Sequence, residues 1–194
     1  AMKRLLLITP LATHSLLGRD FFFRMPCLGL LKVAALTPPD WQVTIVDEKV
    51  EPLDLEAEAD LVGITTVTTT VTRAYAIADH FRRRGIKVVM GGMHVSKLPE
   101  EARPHCDSVV IGEAEVLWPA LLRDLERGQL QPVYRHGESF PLLEQLPVPN
   151  WDLFRDKTYL PVHFVETARG CPLDCEFCAV TSAKFAIQGT QIGR

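Results

Sequence analysis

Near the carboxyl end of the chain stand Cys171, Cys175 and Cys178, three thiols inside eight residues with the spacing C-x3-C-x2-C and no fourth cysteine after them. Three thiolates can hold a 4Fe–4S cube at three corners and leave its fourth iron open to another ligand. An iron left open suits a cluster that binds a substrate or cofactor, beyond passing electrons. Other chemistries remain open for the same residues. Zinc prefers four protein ligands, and His163, on the stretch leading into the motif, is the candidate fourth. A redox pair of Cys175 and Cys178 would leave Cys171 unexplained. Three crowded thiols cannot all pair as disulfides, and nothing marks the chain as secreted.

The elements that must position these thiols read as α/β. Five short apolar runs, 5–9, 43–46, 61–65, 88–90 and 109–111, are nearly continuous in hydrophobic residues rather than alternating. That is the pattern of parallel strands covered on both faces. Helical stretches separate most of them. Residues 26–36 place Leu28, Leu31 and Ala35 on one side and stop before Pro38 and Pro39. Residues 70–84 align Val71, Ala74, Tyr75, Ala78 and Phe81, and 115–127 align Leu117, Leu121 and Leu125, each followed by a glycine. A shorter helix is expected over 98–104. This alternation predicts a flavodoxin-like, doubly wound parallel sheet of five strands.

Composition narrows the function classes. A 47% hydrophobic content fits a globular α/β protein, and a net charge of −3 offers no electrostatic reason to expect a nucleic-acid partner. The apolar start Leu5-Leu6-Leu7-Ile8 breaks at Pro10 with no small-residue cleavage site after it, so it reads as a core strand. No stretch reaches membrane-span length, and the expected location is cytoplasmic.

In a doubly wound sheet the ligand site lies beyond the carboxyl ends of the strands. The loop after the first strand, Pro10 to His14, lacks the glycines of a dinucleotide site, so Asp47 at the end of the second strand reads as a capping residue. The receiver-type carboxylates are absent, since Thr9-Pro10 and Thr65-Thr66 occupy those positions. What remains is polar and nearly uncharged: Thr66, Val67 and Thr68 after strand three, Gly91, Gly92, Met93 and His94 after strand four, and Gly112, Glu113 and Ala114 after strand five. Glycines there either build turns or let backbone approach a bulky ligand.

The cysteine spacing, the Arg169-Gly170 before it and the aromatic Phe177 before its last cysteine resemble the cluster motif of the radical S-adenosylmethionine (SAM) family. That resemblance implies that Cys171, Cys175 and Cys178 ligate a 4Fe–4S cluster, with Phe177 near SAM. SAM would bind the open iron and be cleaved to methionine and a 5′-deoxyadenosyl radical. The Gly91-Gly92-x-His94 turn, Leu98-Pro99-Glu100-Glu101-Ala102 and Ile111-Gly112-Glu113-Ala114-Glu115 resemble the cobalamin-binding domain that precedes many radical SAM domains. The first loop departs from that domain's Asp-x-His-x-x-Gly pattern. His14 is present without the acid or the glycine, so it reads as a polar loop histidine and not as a cobalt ligand.

The resemblance implies a Rossmann-like cobalamin-binding domain over 3–130, a linker over 131–157, and over 158–194 the first strand and cluster loop of a truncated, partial α/β barrel. It further implies a cobalamin-dependent radical SAM enzyme, a methyltransferase or an oxidative cyclase. Such an enzyme would act on a small-molecule substrate and be supplied by an electron donor such as flavodoxin or ferredoxin. Two other readings stay open: a radical SAM protein whose Rossmann-like domain binds substrate or partner without cobalamin, and a non-catalytic cobalamin-binding module.

Overall fold

A computed structural model describes residues 2–12, 24–137, 146–161, 176 and 178. Its centre is a parallel sheet of β1 (Lys3–Thr9), β2 (Trp41–Asp47), β3 (Leu61–Thr66), β4 (Lys87–Gly92), β5 (Ser108–Ile111) and β6 (Val133–Arg135). The strand order is β2-β1-β3-β4-β5-β6. Every neighbouring pair is parallel, and β1 with β2 is the longest ladder, from Lys3 opposite Trp41 to Thr9 opposite Asp47. The order 2-1-3-4-5 is the flavodoxin-like one, with its reversal between β1 and β3.

Side chains alternate between the two faces of each strand, and both faces are apolar. Leu5, Leu7, Leu61, Val89 and Val110 join one core with α1 (Leu28–Ala35) and α5 (Ala114–Glu126), whose Leu31, Trp118 and Leu121 are buried there. Leu6, Ile8, Val62, Met90 and Val109 join the other with α2 (Val71–Arg83), α3 (Met93–Lys97) and α4 (Pro99–Ala102). Val71, Ala74, Ala78 and Phe81 of α2 are buried, as expected from their helical spacing; Ile77, outside the expected set, is buried with them, while Tyr75, expected on that face, is half-buried. Burying each large side chain of this kind stabilises by about 1.5–3 kcal/mol.

The expectation of five strands is corrected to six. β6 has only three residues in polar surroundings, too short for a hydrophobic signal. Its pairing with β5 comes from tertiary context: Tyr134 is buried, its hydroxyl donates to Asp124 of α5 at 2.8 Å and accepts from the Gln131 N–H at 3.1 Å. β6 falls within the stretch 131–157 expected as a linker.

Later residues of that stretch lie against the same sheet. A 3-10 turn at Trp151–Phe154, capped by the Asn150 side chain accepting from the Asp152 N–H at 3.1 Å, buries Phe154 in the α1/α5 core. The Leu160 N–H donates to the Arg24 carbonyl at 3.0 Å, and Lys157 pairs with Glu51. His14, His163, Cys171, Cys175, Phe177 and residues 179–194 lie outside the described residues.

A glycine-opened cleft at the strand ends

On the α1/α5 side of the sheet, β3 presents Leu61, Gly63 and Thr65, and β4 presents Val89 and Gly91. The register sets Gly63 beside Val89 and Thr65 beside Gly91. Two positions that would carry core side chains are therefore bare: Leu7 and Trp118 of α5 pack over Gly63, whereas the space over Gly91 stays open. The result is a cleft of about 380 Å3, within the range of small-molecule pockets, about 300–1,000 Å3. Leu7, Val89, Val110 and Trp118 make its apolar floor; Leu28, Gly29, Lys32 and Val33 of α1 form one wall and Gly112, Glu113, Ala114 and Glu115 another. The Trp118 indole N–H donates to Thr37 Oγ1 at 2.9 Å, and that hydroxyl donates to the Val33 carbonyl at 2.9 Å, so the floor is locked to the end of α1.

The glycines differ in what requires them. A β-carbon on Gly91 would sit 3.5 Å from the Val110 Cβ, an ordinary contact, so nothing in the protein forbids a side chain and the space belongs to the cleft. At Gly63 a β-carbon would come within 2.8 Å of a Leu7 methyl. Gly92 is a backbone necessity: its φ is +94°, and a β-carbon would lie 2.6 Å from both the N and O of Thr66.

The expected site residues fall into two groups. Gly91, Gly92, Gly112, Glu113 and Ala114 all line the cleft. Thr66, Val67, Thr68, Met93 and His94 lie outside its lining, and most of their polar atoms are engaged in holding the rim. Thr66 is buried; its hydroxyl donates to the Gly91 carbonyl at 2.8 Å and accepts from the Val95 N–H at 3.4 Å, tying β3 to β4 and α3. Val67 is half exposed, and its N–H donates to Thr70 Oγ1 at 3.2 Å. His94, buried in α3, has Nδ1 3.2 Å from Thr68 Oγ1 and Nε2 3.4 Å from a Glu101 carboxylate oxygen. The second approach lacks hydrogen-bond alignment, so it is a close approach and not a hydrogen bond. The same Glu101 oxygen accepts from the Tyr75 hydroxyl at 3.1 Å; burial first, and then that carboxylate, push the Tyr75 phenol above its ordinary value.

Asp47 is a capping residue, as its sequence position implied. Its Oδ1 accepts from the Lys49 N–H at 3.0 Å and the Lys49 ammonium lies 3.3 Å from Oδ2. Burial, opposed by Lys49, raises its carboxyl above the ordinary value. Next to it, buried Glu48 accepts from the Leu11 N–H at 3.0 Å and is held by the Arg73 guanidinium at 2.6–3.1 Å. Cys178 is half-buried, and Cys106 is buried with its thiol donating to the Ala102 carbonyl at 3.4 Å.

Sequence reasoning passed over Gly63, Gly29, Lys32 and Trp118. For the two glycines a signal existed: Gly63 interrupts an apolar strand, where glycine marks close backbone approach, and Gly29 sits inside a helix, where it costs about 1 kcal/mol relative to alanine.

Fold and cleft together define a flavodoxin-like α/β domain with an open cleft at the carboxyl ends of its strands. The chain belongs to the B12 binding domain family, whose model matches residues 15–122. It is 36% identical over 174 residues to bacteriochlorophyllide d C-8(2)-methyltransferase of Chlorobaculum tepidum, covering 85% of this chain and 38% of that protein. It is 33% identical over 183 residues to the C-12(1)-methyltransferase of the same organism, covering 91% and 40%. The chain thus spans about two fifths of the length of these curated relatives. Among solved structures it resembles the radical S-adenosylmethionine methyltransferase TsrM from Kitasatospora setae with cobalamin and a 4Fe–4S cluster bound. The TM-score is 0.50 at 19% identity over 77% of this chain and 31% of that one, a likeness of fold. Among the described residues no helix is long and apolar enough to cross a membrane.

Proposed function

We propose that this chain is the cobalamin-binding domain and the start of the radical SAM domain of a cobalamin-dependent enzyme. The enzyme is a methyltransferase for a small-molecule substrate, with oxidative ring formation as the rival outcome. The observation that carries the cobalamin assignment is the cleft left open at Gly91 in a member of the B12 binding domain family. The radical SAM assignment is supported by the C-x3-C-x2-C motif and by the methyltransferases among the relatives. Domain limits of 3–130 and 158–194 fit this reading, with β6 and the 151–154 turn serving to dock the connection on the sheet.

When bound, cobalamin carries a methyl group between donor and acceptor, while a cluster with an open iron binds SAM and passes it an electron. The chain's own residues prepare for both. Gly91 keeps a side chain out of the cleft, Gly63 makes room for the Leu7 side chain in its floor, Gly92 lets β4 turn past Thr66, and the Thr66 hydroxyl fixes the two strand ends beneath. Cys171, Cys175 and Cys178 offer three thiolates, Phe177 an apolar neighbour for SAM, and Thr68, Met93 and His94 the rim facing the corrin. The named relatives are bacteriochlorophyllide methyltransferases and a hopanoid methylase, so the shared part handles cofactor and the substrate is selected elsewhere. The enzyme works in the cytoplasm, draws electrons from flavodoxin or ferredoxin, and has no nucleic-acid partner.

Titration of the purified chain with hydroxocobalamin, followed by its visible absorption, tests the assignment. Saturation at tens of micromolar, about 6 kcal/mol of binding, is the expected result. A folded chain that takes up none at that concentration overturns it.

A further inference from the structure

On the face of the sheet opposite the cleft, a chain of polar groups runs from the strand ends into the layer of α2, α3 and α4. It begins at Thr68, exposed in the 3-10 turn Thr68–Thr70 that follows β3. Its Oγ1 lies 3.2 Å from Nδ1 of His94, which is buried in α3. His94 Nε2 in turn lies 3.4 Å from Oε1 of Glu101 in α4. That oxygen accepts from the Tyr75 hydroxyl of α2 at 3.1 Å. The turn itself is closed by Thr70 and not by Thr68. Thr70 Oγ1 accepts from the Val67 N–H at 3.2 Å and donates to the Val67 carbonyl at 3.2 Å.

The proton positions follow one from another. A neutral imidazole carries one N–H and one lone pair, and its surroundings decide which nitrogen holds which. Glu101 Oε1 already accepts from Tyr75, so it faces Nε2 as an acceptor. A proton on Nε2 is attracted to that oxygen and a lone pair there is repelled, an electrostatic preference that needs no hydrogen-bond alignment. Nδ1 then keeps the lone pair, and the Thr68 hydroxyl must donate to it. A hydroxyl has one proton to give. With that proton turned inward, Thr68 shows the rim lone pairs alone. At this point the rim welcomes a donor and disfavours another acceptor.

We propose that Glu101 and His94 are positioning residues that hold the Thr68 hydroxyl as a hydrogen-bond acceptor, so that the rim selects a ligand edge bearing N–H donors over one bearing carboxylates. Resting on the cobalamin reading above, the group read is one of the primary amides on the corrin's edge. Tyr75 serves the same arrangement by holding the Glu101 carboxylate in place.

Two measurements on the full chain test this, both at about pH 8, where an ordinary imidazole is neutral. In the unliganded chain, nitrogen NMR of His94 is expected to show Nε2 protonated and Nδ1 not; the opposite tautomer overturns the proposal outright. Glu101→Gln is expected to fold and to raise the share of the other tautomer, and an unchanged population overturns the part given to Glu101. The second measurement compares hydroxocobalamin with its monocarboxylic acids, in each of which one edge amide is hydrolysed. The unaltered chain and Thr68→Ser are expected to hold at least one of these acids about fivefold more weakly than hydroxocobalamin, the worth of one hydrogen bond. Thr68→Ala is expected to hold that acid as well as it holds hydroxocobalamin. Discrimination that persists in Thr68→Ala arises from charge elsewhere and overturns the role of Thr68, as does its absence in the unaltered chain; both outcomes leave the cobalamin reading intact. An unaltered chain that binds neither corrin overturns that reading and the amide assignment with it, whereas the tautomer is read without any corrin.

Discussion

The hydroxyl of Tyr159 donates a 3.1 Å hydrogen bond to the carboxylate of Asp47, which is 1% exposed at the end of β2. The two residues are 112 positions apart. Their bond joins a strand end of the cobalamin-type sheet to the segment that runs on toward the cysteine motif. Phe154 stacks at a tilt on Tyr159, ring centres 5.0 Å apart, and Lys157 pairs with Glu51 one turn beyond Asp47. The connection is thus seated by this buried polar bond, the ion pair, the aromatic contact, the Leu160–Arg24 backbone bond and the burial of Phe154.

Replacing Tyr159 by Phe keeps the ring packing and removes only the donor. Asp47 then loses one of its partners in a buried place, which costs about 1–3 kcal/mol. Urea unfolding followed by tryptophan fluorescence should show that loss, and protease cleavage within 146–161 should become faster. Unaltered unfolding would mean that water takes over from the phenol.

Asp47 also gives the fold a dependence on pH. Burial raises its carboxyl above the ordinary 3.8, so the native state favours the protonated form more than the unfolded chain does. The corresponding stability is fully present below the unfolded value and is lost as pH rises through the folded one. Asp47→Asn keeps an acceptor for Tyr159 and Lys49 without the charge. The stability of this variant relative to the unaltered chain should therefore improve between pH 3 and pH 7, read from paired denaturant curves. A difference that stays flat with pH would show that the Lys49 ammonium offsets the burial cost in full.

The five cysteines should separate by chemistry. Burial pushes the Cys106 thiol up to about 11, so at neutral pH it is a protonated, inert packing group. Cys106→Ala and Cys27→Ala should leave anaerobic iron and sulfide uptake unchanged. Alanine at Cys171, Cys175 or Cys178 should abolish the broad absorption near about 400 nm expected of thiolate-bound iron. Equal loss from Cys106→Ala would mean that the ligand set is wrong.

Periodicity made the sheet legible because burial on both faces writes continuous apolar runs, such as Leu5 to Ile8, into the strands themselves. The strand-end glycines at 91, 92 and 112 were legible for a related reason, since few residues can follow a buried strand into a tight exit. β6 was not, because three residues such as Val133–Arg135 acquire strand geometry from β5 and from Tyr134 reaching Asp124. The start of α3 directly at Met93 was hidden for a similar reason: Gly92, with its left-handed φ, both ends β4 and begins the helix. Lys32 was least legible of all. A lysine on a helix is ordinarily solvated, and only the approach of α5 puts it in the dark beside Glu115.

Gly91 and Gly92 are adjacent in sequence, yet the structure assigns them opposite kinds of failure. At Gly92 a side chain must adopt a backbone conformation open almost only to glycine and collide with the Thr66 backbone at 2.6 Å. Gly92→Ala should accordingly destabilise the domain by about 1–3 kcal/mol or more, with ligand affinity lost only as the fold is lost. At Gly91 a β-carbon meets ordinary contacts, and a longer chain extends into the cleft. Gly91→Leu should keep the far-ultraviolet circular dichroism and the unfolding midpoint close to those of the unaltered chain, yet weaken hydroxocobalamin by tenfold or more. His14→Ala is the companion measurement, expected to leave the cobalt spectrum as it was, because that loop lacks the acid that would orient a histidine ligand. If Gly91→Leu binds hydroxocobalamin as well as the unaltered chain does, the cleft between α1 and α5 does not receive any part of the corrin.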